Sequence, residues 1–160
     1  MIISVSDKIP AVDLNIMTED GPCSISTVEI FTGKTVAVFG LPGAFTPTCS
    51  ARHLPGFIDN AVALKAKGIN TIVCISVNDA FVMSAWGKAQ GVGNHIMMVA
   101  DGSAKFAHAT GLEVNMGAKG FGMRCKRFSM VVDNCTIKKL NIDAPGAFEI
   151  TSAEVMLGEL

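Results

Sequence analysis

Two continuous apolar runs, Lys34 to Leu41 (KTVAVFGL) and Asn70 to Val77 (NTIVCISV), constrain this chain more than any other feature. A strand with one wet face alternates apolar and polar residues, whereas a strand covered on both faces reads as unbroken apolar sequence. Each run is therefore expected to be an inner strand of a sheet, and each is followed by a helix-forming stretch. From Thr46 to Lys67 the pattern predicts a helix, with Thr46 as N-cap and Pro47 at the first helical position, where the missing N–H is not needed. Pro55 predicts a kink, and Gly68 a stop. Asp79 is placed to cap a helix running through Trp86.

Further along, Ile96 to Ala100 reads as a short strand and Ser103 to Thr110 as a short helix ended by Gly111. Met116 to Met123 is a glycine-rich loop. Arg127 to Val132 and Thr136 to Ile142 read as a hairpin turning at Asp133-Asn134. Thr151 and Glu154 have capping-box spacing and open a last helix. Strands alternating with helices, then a hairpin, predict an α/β protein: a mixed central sheet with helices on both faces, thioredoxin-like, in a single domain over 1–160.

The bulk numbers narrow the function classes. Apolar residues make up 49% of the 160 positions and charged residues 17%, a folded composition. Thirteen basic and fourteen acidic side chains leave a net charge of -1. Nothing there favours a phosphate backbone, so no nucleic-acid partner is expected. No apolar run reaches the ~18 residues that span a bilayer, so no membrane partner is expected either. The start, MIISVSDKIP, has no basic region and no cleavage site, which reads as mature chain: cytoplasmic, or in an organelle after removal of a transit peptide.

Five cysteines, Cys23, Cys49, Cys74, Cys125 and Cys135, form neither an even disulfide framework nor a CxxC. Reduced thiols are the expectation. The histidines His53, His95 and His108 lack metal-ligand spacing, and no complete G-x-G-x-x-G occurs, so no cofactor or metal is expected. The three histidines read as surface or hydrogen-bonded residues. Phe45, Phe81 and Trp86 are candidates for an apolar rim above Cys49.

Cys49 stands out by position. In Pro42-Gly43-Ala44-Phe45-Thr46-Pro47-Thr48-Cys49-Ser50 an inner strand gives way to a helix, and Cys49 falls in the first helical turn. Unpaired N–H groups and the positive end of the helix dipole favour a thiolate there, the reactive form of the side chain. Thr46, one turn earlier, can turn its hydroxyl toward the sulfur. Position alone also fits a buried cysteine beside an ordinary helix cap.

PGAFTPTCS, with Pro42, Thr46 and Cys49 in a P-x-x-x-T-x-x-C frame, resembles the peroxidatic signature of the peroxiredoxins. HLPGF (His53 to Phe57), ISVNDAFVM (Ile75 to Met83) and RFSMVVD (Arg127 to Asp133) resemble the type II, or atypical two-cysteine, branch, especially its plant-type members. The resemblance implies a thiol-dependent peroxidase acting on hydrogen peroxide and small alkyl hydroperoxides. It implies Cys49 as peroxidatic nucleophile, Thr46 bonding thiolate and peroxide, Pro42 shielding the site, and Arg127 favouring the thiolate and polarising the peroxide. It also implies a homodimer through a face near the active-site loops.

What regenerates Cys49 stays open at this level. Some plant-type members have a resolving cysteine at the spacing of Cys74, but a cysteine inside NTIVCISV can equally be core. The animal-type branch carries its resolving cysteine in a region resembling Gly146 to Ala153, which has none here. Cys125 lies between Arg124 and Lys126, which could activate it. The resemblance leaves glutaredoxin with glutathione, or thioredoxin, as reductant. Two other functions use the same cysteine: a redox relay that passes oxidation to a partner protein, and a cysteine hydrolase pairing Cys49 with a histidine such as His108.

Overall fold

The computed structural model describes residues 1–160. The chain opens on an antiparallel hairpin, β1 (Asp13–Thr18) and β2 (Gly21–Ser26), then a short helix α1 (Thr27–Phe31) and the inner strand β3 (Thr35–Gly40). The loop after β3 leads into a π-helical turn at Cys49–His53, α2 (Leu54–Asp59) and α3 (Ala61–Ala66). Next come β4 (Thr71–Ser76), α4 (Ala80–Gln90), β5 (Met97–Ala100), α5 (Lys105–Thr110) and the small pair β6 (Glu113–Asn115) and β7 (Met123–Cys125). The hairpin β8 (Phe128–Asp133) and β9 (Thr136–Ile142) precedes the last helix, α6 (Ala153–Glu159).

The main sheet has seven strands in the order β2-β1-β5-β4-β3-β8-β9. β3, β4 and β5 are parallel, and the outer pairings are antiparallel. Both apolar runs thus occupy the middle of the sheet, and period-two alternation sends their side chains into two separate cores. Val36 and Val38 join Ile30, Phe31 and Phe106 on one face. Ala37, Phe39 and Leu41 join Leu54, Phe57 and Trp86 on the other. Helices of five to seven residues have little stability alone. Burial of these side chains, each worth roughly 1.5–3 kcal/mol, holds them to the sheet.

The expected mixed sheet with helices on both faces is therefore present, and several details depart from expectation. The hairpin turns at Asn134-Cys135, one residue later than the sequence suggested, because Asp133 pairs with Thr136. Both turn residues have positive φ, the geometry that matches strand twist. The long helix expected from Thr46 to Lys67 is broken at Asn60, whose side chain donates to the Gly56 carbonyl at 2.7 Å. The π turn occupies the turn before Pro55, where the proline ring crowds the carbonyl four residues back. The last helix is capped by Ser152, whose side chain accepts from Val155 N–H. Thr151 turns inward, its hydroxyl donating to the buried Asp143 at 2.6 Å. The β1–β2 hairpin, α1, β6 and β7 had no clear sequence signal.

β3 ends on a glycine for a steric reason. A methyl on Gly40 would be driven into the ring of Phe128, its register partner on β8. Phe128 is buried and stacks near Phe106, so it has nowhere to move. Gly40→Ala is expected to cost roughly 3 kcal/mol, the upper end for overpacking. A Phe128→Leu change in the same chain should return part of that loss. Urea midpoints of the two variants check it.

Candidate active site

Beyond Gly40 the chain leaves the sheet, and three successive carbonyls of the loop are tied down by side chains. The Leu41 carbonyl accepts from Ser76 Oγ at 3.3 Å and from Cys125 Sγ at 3.1 Å. The Pro42 carbonyl accepts from Arg124 Nη1 at 3.2 Å. The Gly43 carbonyl accepts from Thr46 Oγ1 at 2.6 Å, and Ala44 N–H donates to Asn78 Oδ1 at 3.0 Å. Phe45 is held at φ 63, left-handed backbone that a bulky side chain adopts only when its surroundings impose it. Arg124 Nη1 lies where a Gly43 Cβ would come within 2.7 Å, so the glycine is what lets this arginine reach the loop.

The helix begins at Pro47, and Ser50 N–H donates to the Thr46 carbonyl at 2.9 Å as the first intrahelical bond. Thr46 therefore holds the N-cap position. Its hydroxyl proton is committed to Gly43 rather than to the sulfur of Cys49. A hydroxyl has one proton and two lone pairs, so Thr46 Oγ1 keeps acceptor capacity. Trp86 supports the helix from α4, donating from Nε1 to Ser50 Oγ at 3.0 Å. It is fully buried and belongs to the core, not to a rim; Phe45 and Phe81 are the exposed aromatics of that group.

Cys49 is the first residue of the π turn, and only 1% of it is exposed. Arg127, immediately before β8, donates from Nη2 to Cys49 Sγ at 3.2 Å. Its Nη1 lies 2.9 Å from Nδ1 of His53, the last residue of the same π turn. His53 Nε2 lies 3.0 Å from the Thr151 carbonyl, and Asp143 braces that segment by accepting from Glu149 N–H, Ile150 N–H and the Thr151 hydroxyl. Burial alone would raise the Asp143 carboxyl; these donors outweigh it and hold it below the usual carboxylate range. Phe148 lies over Arg127 and Arg52, 5.7 and 4.8 Å from their guanidinium carbons.

The structure thus joins Arg127 to Cys49, keeps Pro42 and Thr46 on the loop that leads into its helix, and adds His53, which the sequence did not single out. His53 is completely buried. Its only sequence signal was its place in HLPGF, four residues after the cysteine.

Cys74 sits on β4 in the same apolar cluster as Cys49 and is fully buried. Burial, then the nearby sulfurs of Cys125 and Cys49, pushes its thiol well above the ordinary range. Cys125 departs from expectation. Its basic neighbours in sequence do not activate it, because alternation along β7 turns the thiol into the core. Burial, with Asp101 nearby, pushes it up to about 12. His108 is exposed and pairs with Glu113 at 3.1 Å on α5, which packs on the opposite face of the sheet from Cys49. A Cys49–His108 pairing therefore has no geometry, and the Nδ1 of His53 is taken by Arg127. No group of three or more His, Cys, Asp or Glu side chains is placed to hold a metal ion, and no helix is long and apolar enough to cross a membrane.

Comparison with known proteins shows what the chain as a whole is similar to. The Redoxin family model matches residues 4–157. Peroxiredoxin-2C of Arabidopsis thaliana is 45% identical over 159 residues, covering 99% of this chain and 98% of the relative. Peroxiredoxin-2E, chloroplastic, of the same plant is 44% identical, covering 99% of this chain and 69% of the relative. Among solved structures, reduced Prx3 of Vibrio vulnificus in complex with hydrogen peroxide superposes with a TM-score of 0.95 at 45% identity, covering 99% of each chain.

Proposed function

This chain belongs to the Redoxin family as a peroxiredoxin of the type II branch, a thiol-dependent peroxidase, and from that premise we propose that Cys49 reduces hydrogen peroxide and small alkyl hydroperoxides through a sulfenic acid. The observation that carries this reading is the Arg127 guanidinium on the Cys49 sulfur, beside a loop whose Leu41, Pro42 and Gly43 carbonyls are engaged elsewhere. The Cys49 thiolate attacks one peroxide oxygen and the O–O bond breaks. The attacked OH stays on sulfur as Cys–SOH, and the other oxygen leaves as hydroxide or alkoxide and takes a proton to become water or an alcohol. Arg127 faces the charge that grows on that leaving oxygen, a stabilisation largest in the transition state. Thr46 Oγ1 accepts a hydrogen bond from the protonated peroxide oxygen. Pro42 narrows the entrance, which suits a small substrate.

For regeneration, an external thiol condenses with the sulfenic acid, releasing water and leaving a mixed disulfide on Cys49. A second thiol, delivered by glutathione with glutaredoxin or by thioredoxin, frees it. The burial of Cys74 on an inner strand supports this route over an internal disulfide, because a protonated core thiol is a poor nucleophile. The same reading takes the protein as a homodimer, with exposed Phe45 and Phe81 supplying apolar surface near the loop.

The test is steady-state peroxide consumption with thioredoxin and glutaredoxin systems side by side, for the wild type and Cys74→Ser. The variant is expected to turn over within about threefold of wild type in at least one system, since it leaves the thiolate site intact. Complete loss of turnover in both would reassign Cys74 as the resolving residue. No peroxide consumption by the wild type in either would refute the peroxidase reading.

A further inference from the structure

Arg124 has no part in the reaction just described, yet it holds the loop that leads to Cys49. Two successive residues of β7 bond to two successive carbonyls of that loop: Cys125 Sγ donates to Leu41 at 3.1 Å, and Arg124 Nη1 donates to Pro42 at 3.2 Å. Arg124 Nε also donates to the Phe121 carbonyl at 3.0 Å, and its guanidinium carbon lies 5.4 Å from the centre of the Phe121 ring. Phe121 sits between Gly120 and Gly122, both at positive φ. Its N–H donates to the Met116 carbonyl, and Met116 N–H donates to the Gly122 carbonyl, which closes the glycine-rich loop on itself. No carboxylate pairs with Arg124, so its bonds are to backbone carbonyls alone. One side chain thus joins the glycine-rich loop to a carbonyl 82 positions away.

We propose that Arg124 is a positioning residue for peroxide reduction: by tying the Pro42–Gly43 peptide to the glycine-rich loop, it fixes the direction of the Gly43 carbonyl and, through it, of the Thr46 hydroxyl. This rests on the peroxidase reading above, in which Thr46 Oγ1 accepts from the peroxide. That oxygen presents a lone pair to the substrate only while its proton goes to the Gly43 carbonyl, 2.6 Å away. Gly43 has no Cβ and is the freest residue of the loop, so a small rotation of its peptide planes would swing the carbonyl away. The missing Cβ is also what admits Arg124, because a methyl there would come within 2.7 Å of Nη1. The tether therefore restores at this position the rigidity that the absent side chain gives up. Arginine suits the task because its planar fork reaches two carbonyls at once. The residues on either side are held independently, Leu41 by Ser76 and Cys125 and Ala44 by Asn78. Loss of Arg124 thus frees the Pro42–Gly43 unit without unseating the rest of the loop.

The test is a double-variant cycle on the stopped-flow oxidation of Cys49 by hydrogen peroxide, without reductant: wild type, Arg124→Met, Thr46→Val and the two changes together. Arg124→Met keeps the length of the side chain and removes both donors. Oxidation should slow by about 10–100-fold, the scale of a misplaced catalytic group. In the Thr46→Val background no hydroxyl remains to be aimed, and the same change should cost less than about twofold. A general loosening of the fold would cost as much in one background as in the other. Arg124→Lys, which serves one carbonyl but not both, carries the same cycle where the methionine variant does not fold, with a smaller loss expected. The proposal is overturned if the folded Arg124 variant reacts within twofold of wild type, if its loss is undiminished in the Thr46→Val background, or if Thr46→Val itself reacts at the wild-type rate. Wild-type protein that fails to react with peroxide would sink the peroxidase reading instead.

Discussion

Replacing Cys49 by serine is expected to abolish peroxide consumption, leaving only the rate of the reductant acting alone. Serine is nearly isosteric and can still accept from Arg127, so the site should keep its shape. What disappears is an ionisable sulfur that can take up an oxygen and be relieved of it by a second thiol. The same substitution at the other cysteines makes the contrast sharp. Cys74→Ser and Cys125→Ser bury a hydroxyl in apolar surroundings and should cost roughly 1–3 kcal/mol of stability, while the first reaction with peroxide survives. Cys23 is exposed and Cys135 half-buried at a hairpin turn, and their replacement should leave the reaction with peroxide unchanged. Stoichiometric peroxide added to each reduced variant, followed by the mass of the intact chain, reads this out: every variant but Cys49→Ser should gain an oxygen or its thiol adduct. A Cys49→Ser protein that still consumed peroxide with a reductant would move the chemistry to another cysteine.

The second large effect is expected at Arg127. Arg127→Gln keeps a hydrogen-bond donor but removes the charge from Cys49 and from the leaving oxygen. The second-order rate with hydrogen peroxide should fall by about 10²–10³, the usual consequence of losing one preorganised charge-stabilising donor. Arg127→Lys should recover little. Lysine keeps the charge but has no planar fork, and the geometry requires two arms at once, one on Cys49 Sγ and one on His53 Nδ1. A lysine variant at wild-type rate would show that positive charge suffices and that the fork is incidental. Rapid-mixing kinetics of Cys49 oxidation, with reductant absent, isolates this step from regeneration.

These expectations rest on residues of unequal visibility in the sequence. Pro42, Thr46 and Cys49 lie within one loop-to-helix segment, so local rules alone placed them together, down to Thr46 at the cap and Pro47 at the first helical position. Asp79 capping α4 and Gly111 ending α5 were legible for the same reason. Arg127 was legible only through its resemblance to a known block, since it lies 78 positions from Cys49. His53 is not legible as a site residue, because nothing local distinguishes a histidine that accepts from an arginine 74 positions away from one at the surface. Cys125 shows the converse error: charged neighbours in sequence point to the opposite side of a strand, so adjacency along the chain misjudged the environment of the thiol.

By itself the sequence determined the inner strands, the helix starts at Thr46 and Asp79, the stop at Gly111, and the reactive loop, because hydrophobic period and capping chemistry act over a few residues. The tertiary structure alone decided which way the half-signalled residues face and whom they meet. It sent the Thr46 proton to Gly43, turned Thr151 inward to Asp143, buried Cys125, and joined His53 to Arg127. Those outcomes depend on sheet order and on packing between distant segments. A hydrogen bond between two such segments leaves no periodic trace in either one, and it exists only once the sheet has brought them together.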